Sequence, residues 1–128
     1  MTLIEDIIES FRLDSLKLIS DNQIEENPDA WTWHTVDNFI YIPNYMIWCL
    51  KYGESNGNLV CDYTLMYIAE LGRVSIRHKE TKGTNFKFLC SKKQKEVIVK
   101  FLYWCLENLN DIDDVRLKRT LPYWEGKR

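Results

Sequence analysis

A chain of 128 residues, 45% hydrophobic and 28% charged, is one domain's length (residues 1–128), able to bury roughly two-thirds of its extended-chain surface. No apolar run approaches the ~20 residues that a membrane span requires, and the acidic opening MTLIEDIIES is the opposite of a secretory leader's basic start, so a soluble, cytoplasmic protein is expected. The net charge of −2 hides an asymmetry, because residues 1–62 hold 11 acids and 3 bases while residues 63–128 hold 8 acids and 14 bases. Such halves either present two faces of opposite sign or pack together and share salt bridges.

The first helix is announced by Thr2-Leu3-Ile4-Glu5, a capping box in which hydroxyl and carboxylate satisfy free backbone amides. Ile4, Ile7, Ile8 and Phe11 then share one face. A short helix or turn follows over residues 14–19. DNQIEENPD, residues 21–29, is polar and broken by Pro28, and predicts a surface loop.

Residues 29–49, DAWTWHTVDNFIYIPNYMIWC, concentrate three of the five tryptophans, with His34 between Asp29 and Asp37. As a site, this would make His34 a general base oriented by Asp37, with Trp31 and Trp33 flanking a flat substrate. As scaffold, the large rings of Trp31, Trp33, Phe39, Tyr41, Tyr45 and Trp48 supply apolar area that a domain of this size depends on. The scaffold interpretation is preferred, and a helix is predicted to start at Pro43, where a missing amide is harmless, and to stop at Gly53.

Gly57 marks the turn into a helix over residues 59–71, apolar almost all round and hence the predicted buried centre. Residues 73–88, RVSIRHKETKGTNFKF, alternate at both ends, in Val74-Ser75-Ile76 and Phe86-Lys87-Phe88. They predict either a small β-hairpin between the middle and late helices or an extended basic loop. Ser91-Lys92-Lys93-Gln94 is a second capping box, opening a helix whose stripe is Val97, Ile98, Phe101, Leu102, Cys105, Leu106 and Leu109. A final helix is predicted from Asp111 or Asp113 to about Leu121, stopped by Pro122, with Tyr123 and Trp124 packing back. The fold expected from these elements is all-α, a compact bundle of four to five helices.

Chemistry is hard to find. Phosphate-cradling loops, zinc-protease helices and nucleophile elbows have no counterpart here. Cys49, Cys61, Cys90 and Cys105 are 12, 29 and 15 positions apart, without the close spacing of zinc or redox pairs. Their apolar neighbours predict reduced, buried thiols. His34 and His78 are far apart, and a pairing of His78 with Cys90 is one that any such composition permits. No catalytic residue, metal site or cofactor is therefore expected. Residues 73–100 form a basic stretch suited to phosphates, but a pI near 5.7 argues against a nucleic-acid module.

The stretch NFKFLCSKKQKEVIVKFLYWCLENL, followed by VRLKRTLPYWEG, resembles an uncharacterised family of small α-helical bacterial proteins. The likeness lies in Phe86, Leu89, Ser91 and Gln94 at the start of the late helix, Phe101 and Leu102 within it, and Tyr123, Trp124 and Gly126 at its close. It covers about the last two-thirds of the chain, rests on caps and core positions, and implies a fold without transferable catalytic residues. Proteins of this size and style include immunity proteins encoded beside bacterial toxins. The function expected is thus a non-enzymatic, protein-binding protein, with a cognate toxin as partner and Asp21, Glu25, Glu26, Asp29 and Asp37 as contacts. A nucleic-acid-associated or regulatory module using residues 73–100 is the alternative.

Overall fold

The computed structural model describes residues 1–29, 36–54, 59–74 and 86–127. Within them lie seven helices and no strand: α1 Leu3–Ser10, α2 Asp21–Glu26, α3 Asn38–Tyr52, α4 Leu59–Gly72, α5 Phe86–Leu89, α6 Lys92–Asn108 and α7 Asp114–Trp124. The all-α expectation holds, but the helices outnumber the four or five anticipated. The scaffold or catalytic role of Trp31, Trp33 and His34, the turn at Gly57, and His78 all lie outside the described residues.

Both capping boxes form. Thr2 and Glu5 exchange backbone–side-chain hydrogen bonds at the start of α1, as do Ser91 and Gln94 at the start of α6. Gln94 does more than cap its own helix, since its Nε2 donates to the Ser10 carbonyl at 3.1 Å. The end of α1 is thereby tied to the beginning of α6, against which it packs. α1 itself closes with Arg12 in the left-handed region at φ 54°. The Arg12 amide donates to Glu9 O at 3.2 Å and the Leu13 amide to Ile8 O at 2.9 Å, a Schellman arrangement that satisfies the terminal carbonyls. A non-glycine residue there costs about 1 kcal/mol, offset by burial of Leu13 at 3% exposure.

Four expectations are corrected. Residues 21–26 are helical, not loop: Ser20 caps α2, and its one buried side chain is Ile24. α3 begins at Asn38, capped by Asp37, so Pro43 lies inside the helix. Its missing amide leaves only the Phe39 carbonyl without a helical donor. α7 likewise runs through Pro122 to Trp124. Finally, Phe86-Lys87-Phe88 is a helical turn, closed by the Cys90 amide on Phe86 O at 3.0 Å, so the second strand of the proposed hairpin does not exist. The rest of that segment, residues 75–85, lies outside the described residues.

Phe86 explains the turn. Its ring is 4.8 Å from Phe39, 6.4 Å from Phe11 and 6.2 Å from Trp124, centroid to centroid. One aromatic cluster therefore joins the end of α1, the start of α3, α5 and α7. Helical winding aims Phe86 and Lys87 inward, which a strand, alternating faces, would not do.

α4 is the central helix, as its all-round apolarity predicts, and its carbonyl end is packed against α7. A Cβ on Gly72 would meet Thr120 Oγ1 at 2.2 Å and Trp124 Nε1 at 2.4 Å, so only glycine permits this approach. Among the described residues no helix is long and apolar enough to cross a membrane.

Candidate functional site

The segment from Asp14 to Asn27 lies along one stripe of α3, and that stripe is polar in a specific way. Asn44, Tyr45, Trp48, Lys51 and Tyr52 recur at helical spacing on α3. Asn44 is buried at 3% exposure. Its Oδ1 accepts from the Ile19 amide at 2.9 Å, and its Nδ2 donates to Lys17 O at 2.9 Å and Ile40 O at 2.7 Å. Tyr45 donates its hydroxyl to Asn27 O. Trp48 Nε1 donates to Glu25 Oε2 at 3.1 Å. Tyr52 Oη donates to Asp21 Oδ2 at 2.5 Å, and Lys51 pairs with Asp21 at 3.1 Å. Read along α3, the chain is fastened at position 44, runs out to 52, and returns through 48 to 45. α2 is thus antiparallel to α3, and the 14–19 turn comes level with the C-terminal end of α2.

These contacts sort the acids expected to bind a partner. Asp21 is committed to Tyr52 and Lys51, and the Tyr52 hydrogen bond, more than the Lys51 charge, holds its carboxyl below the usual aspartate value. Glu25 carries the Trp48 indole. Asp37 accepts from the Phe39 amide at 2.9 Å as the cap of α3. Asp29 is half-buried, and its charge contributes, after burial and Tyr41, to raising the Tyr45 hydroxyl's pKa. Glu26 is exposed at the C-terminal end of α2. Asp21, Glu25 and Glu26 share one short helix whose last turn contains no base.

Of the ion pairs among the described residues, one, Lys100–Asp6 at 3.8 Å, joins residues 1–62 to residues 63–128. Arg77, Lys79 and Lys82 lie outside the described residues, and Lys87 is buried at 7% exposure. Lys92, Lys95 and Lys100 line a groove of about 640 Å³ between α6 and the end of α7, with Lys127 on its rim and Val99 and Trp124 beneath.

The four cysteines are free and buried. Burial pushes the Cys90 thiol up to about 12, and burial raises Cys49 and Cys105 in the same direction. Cys49 also shares hydrogen bonds with Cys61 and Thr64. Among the described residues no group of three or more His, Cys, Asp or Glu is placed to hold a metal ion.

Three residues that matter here carry no sequence signal. Asn44 sits in an apolar helix as an isolated polar residue, Lys87 is one lysine in a basic run, and Leu16 is one leucine in a short turn. Only their partners, or Leu16's exposure to solvent, distinguish them. Comparison with protein-family models, with curated proteins and with solved structures finds no match.

Proposed function

We propose that this chain is a non-enzymatic, cytoplasmic protein-binding protein, an immunity protein that neutralises a bacterial toxin by occluding its active site with an acidic surface. The observation that carries this is the acidic excess of residues 1–62, 11 acids against 3 bases, which among the described residues receives one ion pair from residues 63–128, Lys100–Asp6. The acids Asp21, Glu25, Glu26, Asp29 and Asp37 are the proposed contacts. α2 is fastened to α3 by Trp48, Lys51 and Tyr52, so little ordering free energy is lost when a partner binds. Acidic surfaces of this kind accelerate capture of cationic partners. Buried thiols that stay protonated support a scaffold over a nucleophile.

The test is a pull-down from the cells that make the protein, at low and high salt, with wild type and Glu26→Lys. A basic partner held at low salt and weakened by Glu26→Lys is the expected result. Recovery of no protein under either condition refutes the proposal.

The lysine groove of α6 favours a second reading, a nucleic-acid-associated module. Fluorescence anisotropy with labelled DNA and RNA separates the two: binding that disappears as salt rises supports it, and flat traces dismiss it.

A further inference from the structure

Leu16 is 93% exposed and Leu18 47%, yet the turn that carries them is hydrogen-bonded in place. Asp14 Oδ1 accepts from the Leu16 amide at 3.0 Å, and the Lys17 amide donates to Asp14 O at 2.9 Å. Asn44 fixes the backbone at Lys17 and Ile19 from within the core. A leucine alone in solvent means little, but two on a braced turn form a knob. Because Asn44 and Tyr45 are neighbours on α3, the knob sits level with the end of α2, which presents Glu26, and within about two helical turns of Asp37. The two leucines flank the exposed Lys17, with the exposed Asp14 on the same turn and Glu26 and Asp37 beyond it.

The groove between α6 and α7 is the converse. Val99 and Trp124 supply its apolar lining, and its charged lining is four lysines, Lys92, Lys95, Lys100 and Lys127, against two acids, Glu96 and Glu125. Lys100 and Lys127 have carboxylate partners at 3.8 and 3.6 Å, in Asp6 and Glu125. Lys92 and Lys95 have no ion pair among the described residues. They also stand at the amino end of a 17-residue helix with no acid in its first turn, where the helix dipole repels cations and attracts anions. Glu25 and Glu26 stand at the opposite, carbonyl end of α2 with no base in its last turn, equally mismatched. Among the described residues no ion pair joins the two ends within one molecule, and each would relieve the other across a contact between copies.

We propose that this chain self-associates, the Leu16–Leu18 knob of one copy seating in the lysine-rimmed groove of another, with Glu26 facing Lys92 and Lys95. The two surfaces differ, so the contact is heterologous and can extend beyond a pair unless it closes. A net charge of only −2 opposes association weakly. The patch is small, so the contact is transient and screened as the Debye length falls below about 10 Å above 0.1 M salt. A partner engaged through Glu26 and Asp37 would exclude the second copy.

The experiment is sedimentation velocity on the full chain at rising concentration and low ionic strength, and needs no partner. Wild type is expected to exceed the 15.4 kDa monomer mass by at least about twofold as contacts multiply, and to return to monomer at high salt. Leu16→Ser/Leu18→Ser and Lys92→Glu/Lys95→Glu, both on exposed or rim positions, should each be monomeric alone. Mixed, they should restore a dimer, because one supplies the groove and the other the knob. A wild type that stays at 15.4 kDa, variants that associate as wild type does, or a mixture that remains monomeric each overturn the proposal.

Discussion

Lys87 Nζ donates to the carbonyl of Gly72 at 2.5 Å, and to that of Val74 at 3.2 Å, from a position only 7% exposed. It completes the end of α4. A helix leaves its last four carbonyls without helical donors, and here each is served. Thr120 Oγ1 reaches Ala69 O at 2.9 Å, the Arg73 amide reaches Glu70 O, the Val74 amide reaches Leu71 O, and Lys87 takes Gly72 O. A cation at this end also suits the helix dipole, and the rings of Phe88 and Tyr123 lie 5.0 and 5.4 Å from the ammonium.

Lys87→Met should therefore destabilise the protein by about 1–3 kcal/mol, the cost of leaving buried carbonyls unpaired. Burial, and secondarily the Lys95 charge, lowers the Lys87 pKa below 10.5. The folded state then releases this proton before the unfolded chain does, so this group's contribution rises as pH approaches 10.5 from below. Urea titrations of both proteins at neutral pH and in that window should show the gap widening. A gap that narrows would contradict the assignment.

Gly72→Ala should be among the most damaging single-methyl changes available. The added carbon collides with Thr120 and Trp124, whose side chains hold Ala69 O and Ile68 O, and overpacking of this kind costs about 3 kcal/mol. Gly126→Ala is the control. An added Cβ would meet nothing within 4 Å, but its φ is +77°, a strain of about 1 kcal/mol. Thermal midpoints should fall much further for the first than for the second.

Asn44→Leu removes all three hydrogen bonds of a buried amide and orphans the Ile19 amide and Lys17 carbonyl. A loss of about 2–4 kcal/mol is expected, with faster hydrogen exchange at Ile19 as the local signature. Unchanged exchange there would mean that the turn is braced by other contacts.

Tyr52→Phe should raise the titration midpoint of the Asp21 carboxyl toward 3.8, since the Tyr52 hydroxyl is the largest cause of its lowering. A depressed carboxylate stabilises above its unfolded value and loses that contribution as pH falls through the folded one. Acid unfolding of the variant should be correspondingly less steep below pH 3.8. Carboxyl carbon shifts measured by NMR would decide the matter, and an unmoved Asp21 would reassign the effect to Lys51.

Alkali should weaken the fold through the thiols. Burial raises Cys90 from 9.0 to about 12, so stability is fully present below pH 9.0 and declines as pH climbs from there toward about 12. Cys49, Cys105 and Tyr45 shift in the same direction. A thiol reagent should leave the native chain unlabelled at neutral pH and modify all four cysteines once it is denatured. Rapid labelling of the native chain would mean that these thiols are accessible.

Local chemistry alone determined a large part of this molecule. Thr2 with Glu5 and Ser91 with Gln94 name two helix starts, the stripe from Val97 to Cys105 names a buried face, and the apolarity of residues 59–71 names the central helix. In each, the deciding residues lie within a turn or two of one another, so spacing carries the information. The tertiary structure decided the rest. α2, with Ile24 as its only buried side chain, has no apolar period of its own and is anchored by α3 groups 18 to 31 positions away. α3 and α7 run through prolines because packing outweighs one lost hydrogen bond each. Phe86 turns inward because Phe11, Phe39 and Trp124 wait there. Asp21 and Glu25 look like free surface acids until Tyr52 and Trp48 arrive beside them, and pairings between residues so far apart leave no periodic trace in a sequence.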